Sequence, residues 1–340
     1  MNAGTPPKRI NLALQGGGAH GAFTWGVLDR LLEDEALEIV GVVGTSAGAM
    51  NAAVLAHGLA RGGRPAARAA LDRFWEAVAA AALWSPLKPS PFDRLLSPGD
   101  MDLSPGWLWA DSLTRLFSPY QLNPLGLHPL RAILLAQLDF EVLSSQDRIK
   151  LFVCATNVRT CKIKVFQGPE LSIEAVLASA CLPFLFRAVE IDGEAYWDGG
   201  FMGNPPIFPL IYETDCEDVV IVQVNPIEIA EVPTTASAIL DRMNEVAFNS
   251  SLMREMRAIA FVKKLLAEQR VPPGRYKDLK LHMIAAEAEM ARLGYSSKLN
   301  AERDFLLWLK ALGRARAEAF LTAHRDRLNV ASSLEIERFL

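Results

Sequence analysis

A chain of 340 residues is long enough for one large domain or two ordinary ones, with a substantial apolar core in either case. A hydrophobic fraction of 51% with 22% charged residues excludes a disordered chain, and 23 glycines with 20 prolines exclude a collagen-like one. Lys and Arg number 35 against 39 Asp and Glu, a net charge of -4, so no overall basic field exists to hold nucleic acid.

Ahead of the first apolar run stands only a polar, proline-bearing tail over residues 1–9, without the apolar stretch of a secretory signal, so a cytoplasmic location is expected. The run Ile10 to Gln15 stops at Gly16-Gly17-Gly18, and apolar residues then recur at helical spacing from Ala19 (Phe23, Val27, Leu28, Leu31, Leu32). That predicts strand, glycine turn, helix. Ile39 to Val43 repeats the scheme, reaching Gly44-Thr45-Ser46-Ala47-Gly48 and an alanine-rich helix that is expected to stop near Gly62-Gly63. Two such units in succession predict parallel strands joined by right-handed crossovers, with chemistry at the strands' carboxyl ends.

Residues 84–129 change texture, with eight prolines and three tryptophans (Trp84, Trp107, Trp109) among the seven in the chain. No regular element of any length is expected there. The segment reads either as a lid or lipid-facing surface, or as an irregular cap whose aromatics pack over the sheet. Strands follow at Leu151 to Thr156 and Lys162 to Phe166, and a short helix at Ser172 to Ala180. A hairpin then turns at Asp192-Gly193, and its second strand ends at Asp198-Gly199-Gly200. A buried-type strand at Asp218 to Val224, a long helix at Ala236 to Ala267, a strand at Leu279 to Ile284 and a helix at Ala301 to Ala323 complete the chain. The simplest organisation is one α/β domain, with residues 10–212 as its catalytic part and residues 213–340 as its extension. Cys154, Cys161, Cys181 and Cys216 show neither C-x-x-C spacing nor ligand-like histidines, so reduced thiols and no metal site are expected. No apolar window approaches the ~18 residues that span a bilayer, which leaves peripheral contact as the only kind of membrane association. A locally basic stretch from Arg254 to Lys280 either lies on anionic lipid or solvates its charges.

Gly44-Thr45-Ser46-Ala47-Gly48 fits the G-x-S-x-G nucleophile elbow and stands between a strand and a helix, where that motif has meaning. A serine hydroxyl is a weak nucleophile near neutral pH, so a base and oxyanion donors must accompany it. Gly16, Gly17 and Gly18 can aim backbone N–H groups at one oxygen. The same segment is formally G-x-G-x-x-G (Gly16, Gly18, Gly21), but the acidic residue that a dinucleotide site expects at the end of the second strand is missing, and the serine elbow stands there instead. Asp198, at a strand end beside Gly199 and Gly200, is either a base or the corner of a surface turn. His282 competes with it, since Ser46, Asp198 and His282 run in the order of the Ser-Asp-His hydrolases. A catalytically silent lipid-binding protein is a further alternative.

Gly16-Gly17-Gly18-Ala19-His20-Gly21, Gly44 to Gly48, and Asp198-Gly199-Gly200 with Asn204-Pro205 together resemble the patatin-like phospholipase family, over about Ile10 to Ile211. The resemblance implies a three-layer α/β/α fold with a mostly parallel central sheet, and a cofactor-free serine lipid acyl hydrolase acting on phospholipid or lysophospholipid esters. It implies Ser46 as nucleophile, Asp198 as its base without a histidine, and the glycine turn as oxyanion hole, with Gly21, Gly44, Gly48, Gly199 and Gly200 in support. One departure stands out: His20 occupies a position where the family usually carries Lys or Arg, which puts headgroup preference and pH dependence in question.

Overall fold

The computed structural model describes residues 6–272 and 274–340. Among them eight strands form one sheet: β1 (Lys8–Leu14), β2 (Leu37–Thr45), β3 (Lys150–Asn157), β4 (Ile163–Phe166), β5 (Val189–Ile191), β6 (Glu194–Asp198), β7 (Asp218–Val222) and β8 (Lys280–Ile284). Their order is β5-β6-β3-β2-β1-β7-β8, with β4 also on β3. The five strands β3-β2-β1-β7-β8 are mutually parallel, and β4, β5 and β6 pair antiparallel. The mostly parallel sheet is as expected. Of the tail, residues 1–5 lie outside the described residues, and from Lys8 onward it is already β1.

Twelve α-helices are described: α1 (Gly21–Glu33), α2 (Ala47–Ala82), α3 (Pro91–Leu96), α4 (Pro105–Leu116), α5 (Pro119–Leu122), α6 (Pro129–Gln137), α7 (Phe140–Ser145), α8 (Ile173–Ser179), α9 (Phe208–Glu213), α10 (Ala236–Ala267), α11 (Glu287–Met290) and α12 (Arg303–His324). Side chains alternate across each strand, and the two faces bury different partners. Leu12 and Leu14 of β1 join α1, α2 and α12 in one core, while Ala13 and Val43 face Leu210 of α9 and Leu252, Met256 and Ile259 of α10. These two cores give three layers, α/β/α. Strands β7 and β8, with α10 and α12, continue the same sheet and the same two cores.

The helix after Ser46 breaks at Gly62-Gly63 as expected, where both glycines leave helical geometry with Gly63 at φ 69°, and a second helical segment follows across the kink to Ala82. Pro65 stands in the first turn of the resumed part, where its missing N–H leaves no bond unmade. One expectation is corrected: residues 84–129 are not irregular. Pro91, Pro105, Pro119 and Pro129 each begin a helix, preceded by Ser90, Ser104, Ser118 and His128 at the cap positions. Counting prolines as breakers overlooked that the first helical position tolerates them. Nor do all the aromatics pack inward, since Trp84 is 92% and Trp109 65% exposed and α4 buries none of its residues.

Candidate active site

Strand register brings two distant segments together. Thr45, the last residue of β2, pairs with Cys154 of β3, and the next β3 residue, Ala155, pairs with Asp198 at the end of β6. Ser46 and Asp198 therefore stand at one level on either side of β3. Ser46 has φ 55° and ψ -124°, a left-handed conformation that is costly for a residue with a Cβ and that turns its hydroxyl out of the strand direction. The turn is held from outside: the Ser46 N–H donates to Ser179 Oγ at 2.9 Å, Ser179 Oγ donates to the Cys154 carbonyl at 2.6 Å, and Thr45 Oγ1 donates to the Gly203 carbonyl at 2.7 Å. Gly44 and Gly48 are required by close packing, since a Cβ on Gly44 would fall 2.4 Å from the Gly48 carbonyl oxygen, and one on Gly48 2.3 Å from that of Leu14. Gly21 similarly abuts Ala47 and Trp75, and Gly199 the Cys154 carbonyl.

Asp198 is completely buried. Its backbone is fixed by its own N–H donating to the Cys181 carbonyl and by Thr156 Oγ1 donating to the Asp198 carbonyl, both at 2.8 Å. One carboxylate oxygen, Oδ1, accepts the Gly200 N–H at 2.7 Å, and the other, Oδ2, is buried with no hydrogen-bond partner among the described residues. Burial pushes the carboxyl up to about 7, against the opposing effects of the adjacent Ser46 hydroxyl and the Gly200 amide. A carboxylate with that affinity for protons, beside a serine hydroxyl, is matched to taking a proton near neutral pH.

The glycine turn leaves β1 beside this pair. The Gly16 N–H is already taken by Asn204 Oδ1 at 2.6 Å, so of the three glycines expected to hold an oxyanion, Gly16 offers no open donor. The N–H groups of Gly17 and Gly18 make no hydrogen bond among the described residues. Gly18 adopts φ +60°, and a Cβ there would lie 2.2 Å from the Lys298 carbonyl oxygen, so both shape and space demand glycine.

His20 does not replace the missing cation. It is buried, its Nε2 lies 2.8 Å from Ser297 Oγ, and Ser297 Oγ itself donates to the Gly294 carbonyl, which leaves Nε2–H as the donor and Nδ1 bare. Burial, together with the Lys298 charge, lowers its pKa to about 3, so the ring is neutral. His282 is placed far from Ser46, three strands across the sheet from β2, or about 14 Å of strand spacing. Its Nε2 is 3.0 Å from Asp218 Oδ1 and its Nδ1 2.9 Å from Ser333 Oγ. A cavity of about 340 Å³ lined by Glu287, Arg316, Ser333 and Arg338 lies at that far edge and includes neither Ser46 nor Asp198. Cys154, Cys181 and Cys216 are buried, Cys161 is exposed, and all four are free.

Sequence reading missed the supports of the site: Gln15, Ser179, Asn225 and Lys298. Gln15 alone carried a signal, as a polar residue closing an apolar run. Its Oε1 accepts the N–H groups of Val224 and Asn225, and its Nε2 donates to the Asn204 carbonyl.

The family model described as Patatin-like phospholipase matches residues 12–211. No curated protein matches the chain. Among solved structures, VipD from Legionella pneumophila is 15% identical with a TM-score of 0.37, covering 98% of this chain and 79% of that one. The type III effector protein ExoU is 16% identical with a TM-score of 0.36, covering 94% of this chain and 53% of that one. ExoU of Pseudomonas aeruginosa in complex with SpcU is 16% identical, with a TM-score of 0.33 and coverage of 93% and 53%. The chain thus spans about half the length of the ExoU chains.

Proposed function

The chain belongs to the patatin-like phospholipase family, a family of lipid ester hydrolases, and we propose that it cleaves carboxylic esters of phospholipids or lysophospholipids through a Ser46–Asp198 dyad and an acyl-enzyme. Asp198 takes the Ser46 proton as the hydroxyl attacks the ester carbonyl. The resulting oxyanion is held by the Gly17 and Gly18 N–H groups, the alcohol leaves with the proton, and water activated by the same carboxylate releases the fatty acid. The observation that carries this reading is the buried Asp198 carboxyl adjacent to the Ser46 hydroxyl, with one of its oxygens, Oδ2, left without a hydrogen-bond partner among the described residues. A fluorophosphonate probe is expected to label the wild-type chain at Ser46, and wild type but not Ser46→Ala is expected to release fatty acid from a panel of lysophospholipids. A folded chain that stays unlabelled overturns the proposal.

We further propose that residues 84–129 meet the lipid surface. Among the described residues no helix is long and apolar enough to cross a membrane, so the contact is peripheral. Support comes from the exposed Trp84, Phe92, Trp109 and Leu125 on this one segment, and from Ser46 being only 6% exposed, so that an acyl chain reaches it only when neighbouring segments yield. The basic stretch is a poorer candidate, because Lys263 pairs with Asp278, Lys264 and Arg270 with Glu268, and Lys280 with Glu217. Burying one large apolar side chain is worth about 1.5–3 kcal/mol. Trp84→Ser with Trp109→Ser is therefore expected to weaken co-sedimentation with phosphatidylcholine vesicles by about tenfold or more, while charge reversal at Lys263 and Lys264 leaves it unchanged. Equal sedimentation of the tryptophan variant and wild type would refute the assignment.

A further inference from the structure

Groups from three separate parts of the chain converge on Gly16, at the start of the glycine turn. Asn204 accepts the Gly16 N–H through Oδ1, Asn225 Nδ2 donates to the Gly16 carbonyl at 2.7 Å, and Lys298 Nζ donates to Asn225 Oδ1 at 2.9 Å. An amide whose oxygen is held by an ammonium cannot turn over without losing a charge-assisted bond, so Asn225 is forced to present its N–H to Gly16. Lys298 reaches the turn by its backbone too, since its carbonyl oxygen packs against the Gly18 Cα. Its flanking residues are also tied down. Ser297 holds His20 of the turn, Met101 donates its N–H to Ser296 Oγ, and Asn300 Nδ2 donates to the Gly99 carbonyl. Burial lowers the Lys298 pKa, and the carboxylates of Glu245 and Asp241 oppose that.

We propose that Lys298 is a positioning residue for the oxyanion-binding turn: by locking Asn225 it fixes the Gly16 carbonyl, and with it the direction in which the Gly17 and Gly18 N–H groups point. The inference rests on the Ser46–Asp198 reading and adds to it a residue that lies outside residues 12–211 and makes no hydrogen bond to either dyad member among the described residues. Its effect is on the transition state. A donor displaced by about 1 Å costs on the order of 10²-fold in rate, and complete loss of one oxyanion donor about 10²- to 10³-fold.

The test uses the full chain and a soluble short-chain p-nitrophenyl ester, which removes membrane binding from the measurement. Lys298→Met is expected to lower kcat by about 10- to 100-fold with KM within about twofold of wild type, and Asn225→Ala to do the same. The double variant is expected to be little worse than the poorer single one, because both break one chain of contacts. Ethylammonium is expected to recover several-fold activity in Lys298→Ala, which a merely structural role would not allow. Where Lys298→Met does not fold, by near-UV circular dichroism, Lys298→Gln takes its place, with an expected loss of about 3- to 30-fold in kcat at unchanged KM. A kcat within twofold of wild type, losses that multiply in the double variant, or a change carried by KM each overturn the proposal. Failure of the underlying reading shows separately, as a Ser46→Ala chain that still hydrolyses the ester.

Discussion

Asp198→Asn is expected to lower kcat by about 10²- to 10⁴-fold, the range for loss of a general base, while His282→Ala keeps kcat close to that of wild type per folded molecule. The asparagine keeps the shape of the carboxylate and its acceptance of the Gly200 N–H, so what it removes is the proton acceptor. His282→Ala leaves Asp218 buried without its ring partner and is expected to lower stability by about 3–5 kcal/mol, seen as a lower Tm. The opposite pattern of activities would return the histidine to the mechanism. Wild-type kcat/KM is expected to fall on the acid side of about pH 7, as burial-raised Asp198 takes up a proton and can no longer accept one from Ser46.

The same shift has a stability consequence of fixed sign. The folded pKa of about 7 lies above the ordinary 3.8, so the folded state binds the proton more tightly. The contribution of Asp198 to stability is full below about pH 4 and is lost as pH rises toward 7, by on the order of 4 kcal/mol. Asp198→Asn is therefore expected to melt above wild type at pH 8, with the difference shrinking toward pH 5. A variant that is less stable than wild type at both values would show that the carboxylate is not held against its own solvation.

Gly26→Val is expected to prevent folding or to cost more than about 4 kcal/mol, with Gly313→Val doing the same. A Cβ on Gly26 of α1 would fall 2.0 Å from the Lys310 carbonyl oxygen of α12, and a Cβ on Gly313 would fall 2.0 Å from that of Phe23. Each glycine admits the other helix's backbone, and neither obstacle is a side chain that can move aside. Around that crossing Arg314 pairs with Asp29 and Glu33, and Arg68 of α2 pairs with the same two acids. Thermal melts would check this: a Gly26→Val chain with an unchanged Tm would mean that the two helices separate at little cost.

How much of the site is legible in the sequence depends on the distance over which each cause acts. The elbow at Ser46 is local. A strand, a turn needing small residues and a helix follow one another within about a dozen positions, and their order alone exposes the hydroxyl. The antiparallel return that ends at Asp198 is also local, because Asp192-Gly193 closes its hairpin and Gly193 takes φ +79°. The cap helices are hidden from a count of prolines because proline has opposite meanings inside a helix and at its first position, and the Ser-Pro pairs at 90–91, 104–105 and 118–119 mark the second. Asn225 and Lys298 have no local signal, since Asn225 bonds Gly16 across 209 residues and Lys298 bonds Asn225 across 73. No periodicity or spacing records a hydrogen bond of that reach. Gly16 shows the same limit from the other side, because its glycine is legible but the Asn204 oxygen that occupies its amide is not.

Strand β1 lies between β2 and β7, paired to the second over Asn11 to Leu14. A ribosome that has released residues 1–212 has therefore delivered the serine, the aspartate and the glycines, yet the strand that carries the glycines still has a bare edge, and Ala13 and Val43 still await Leu252 and Met256. Bare edges of that kind pair with other chains, and closing contacts across some 200 residues is slow. We propose that residues 10–340 fold as one unit, so that a fragment cut at the end of the catalytic part would aggregate where the full chain stays dispersed.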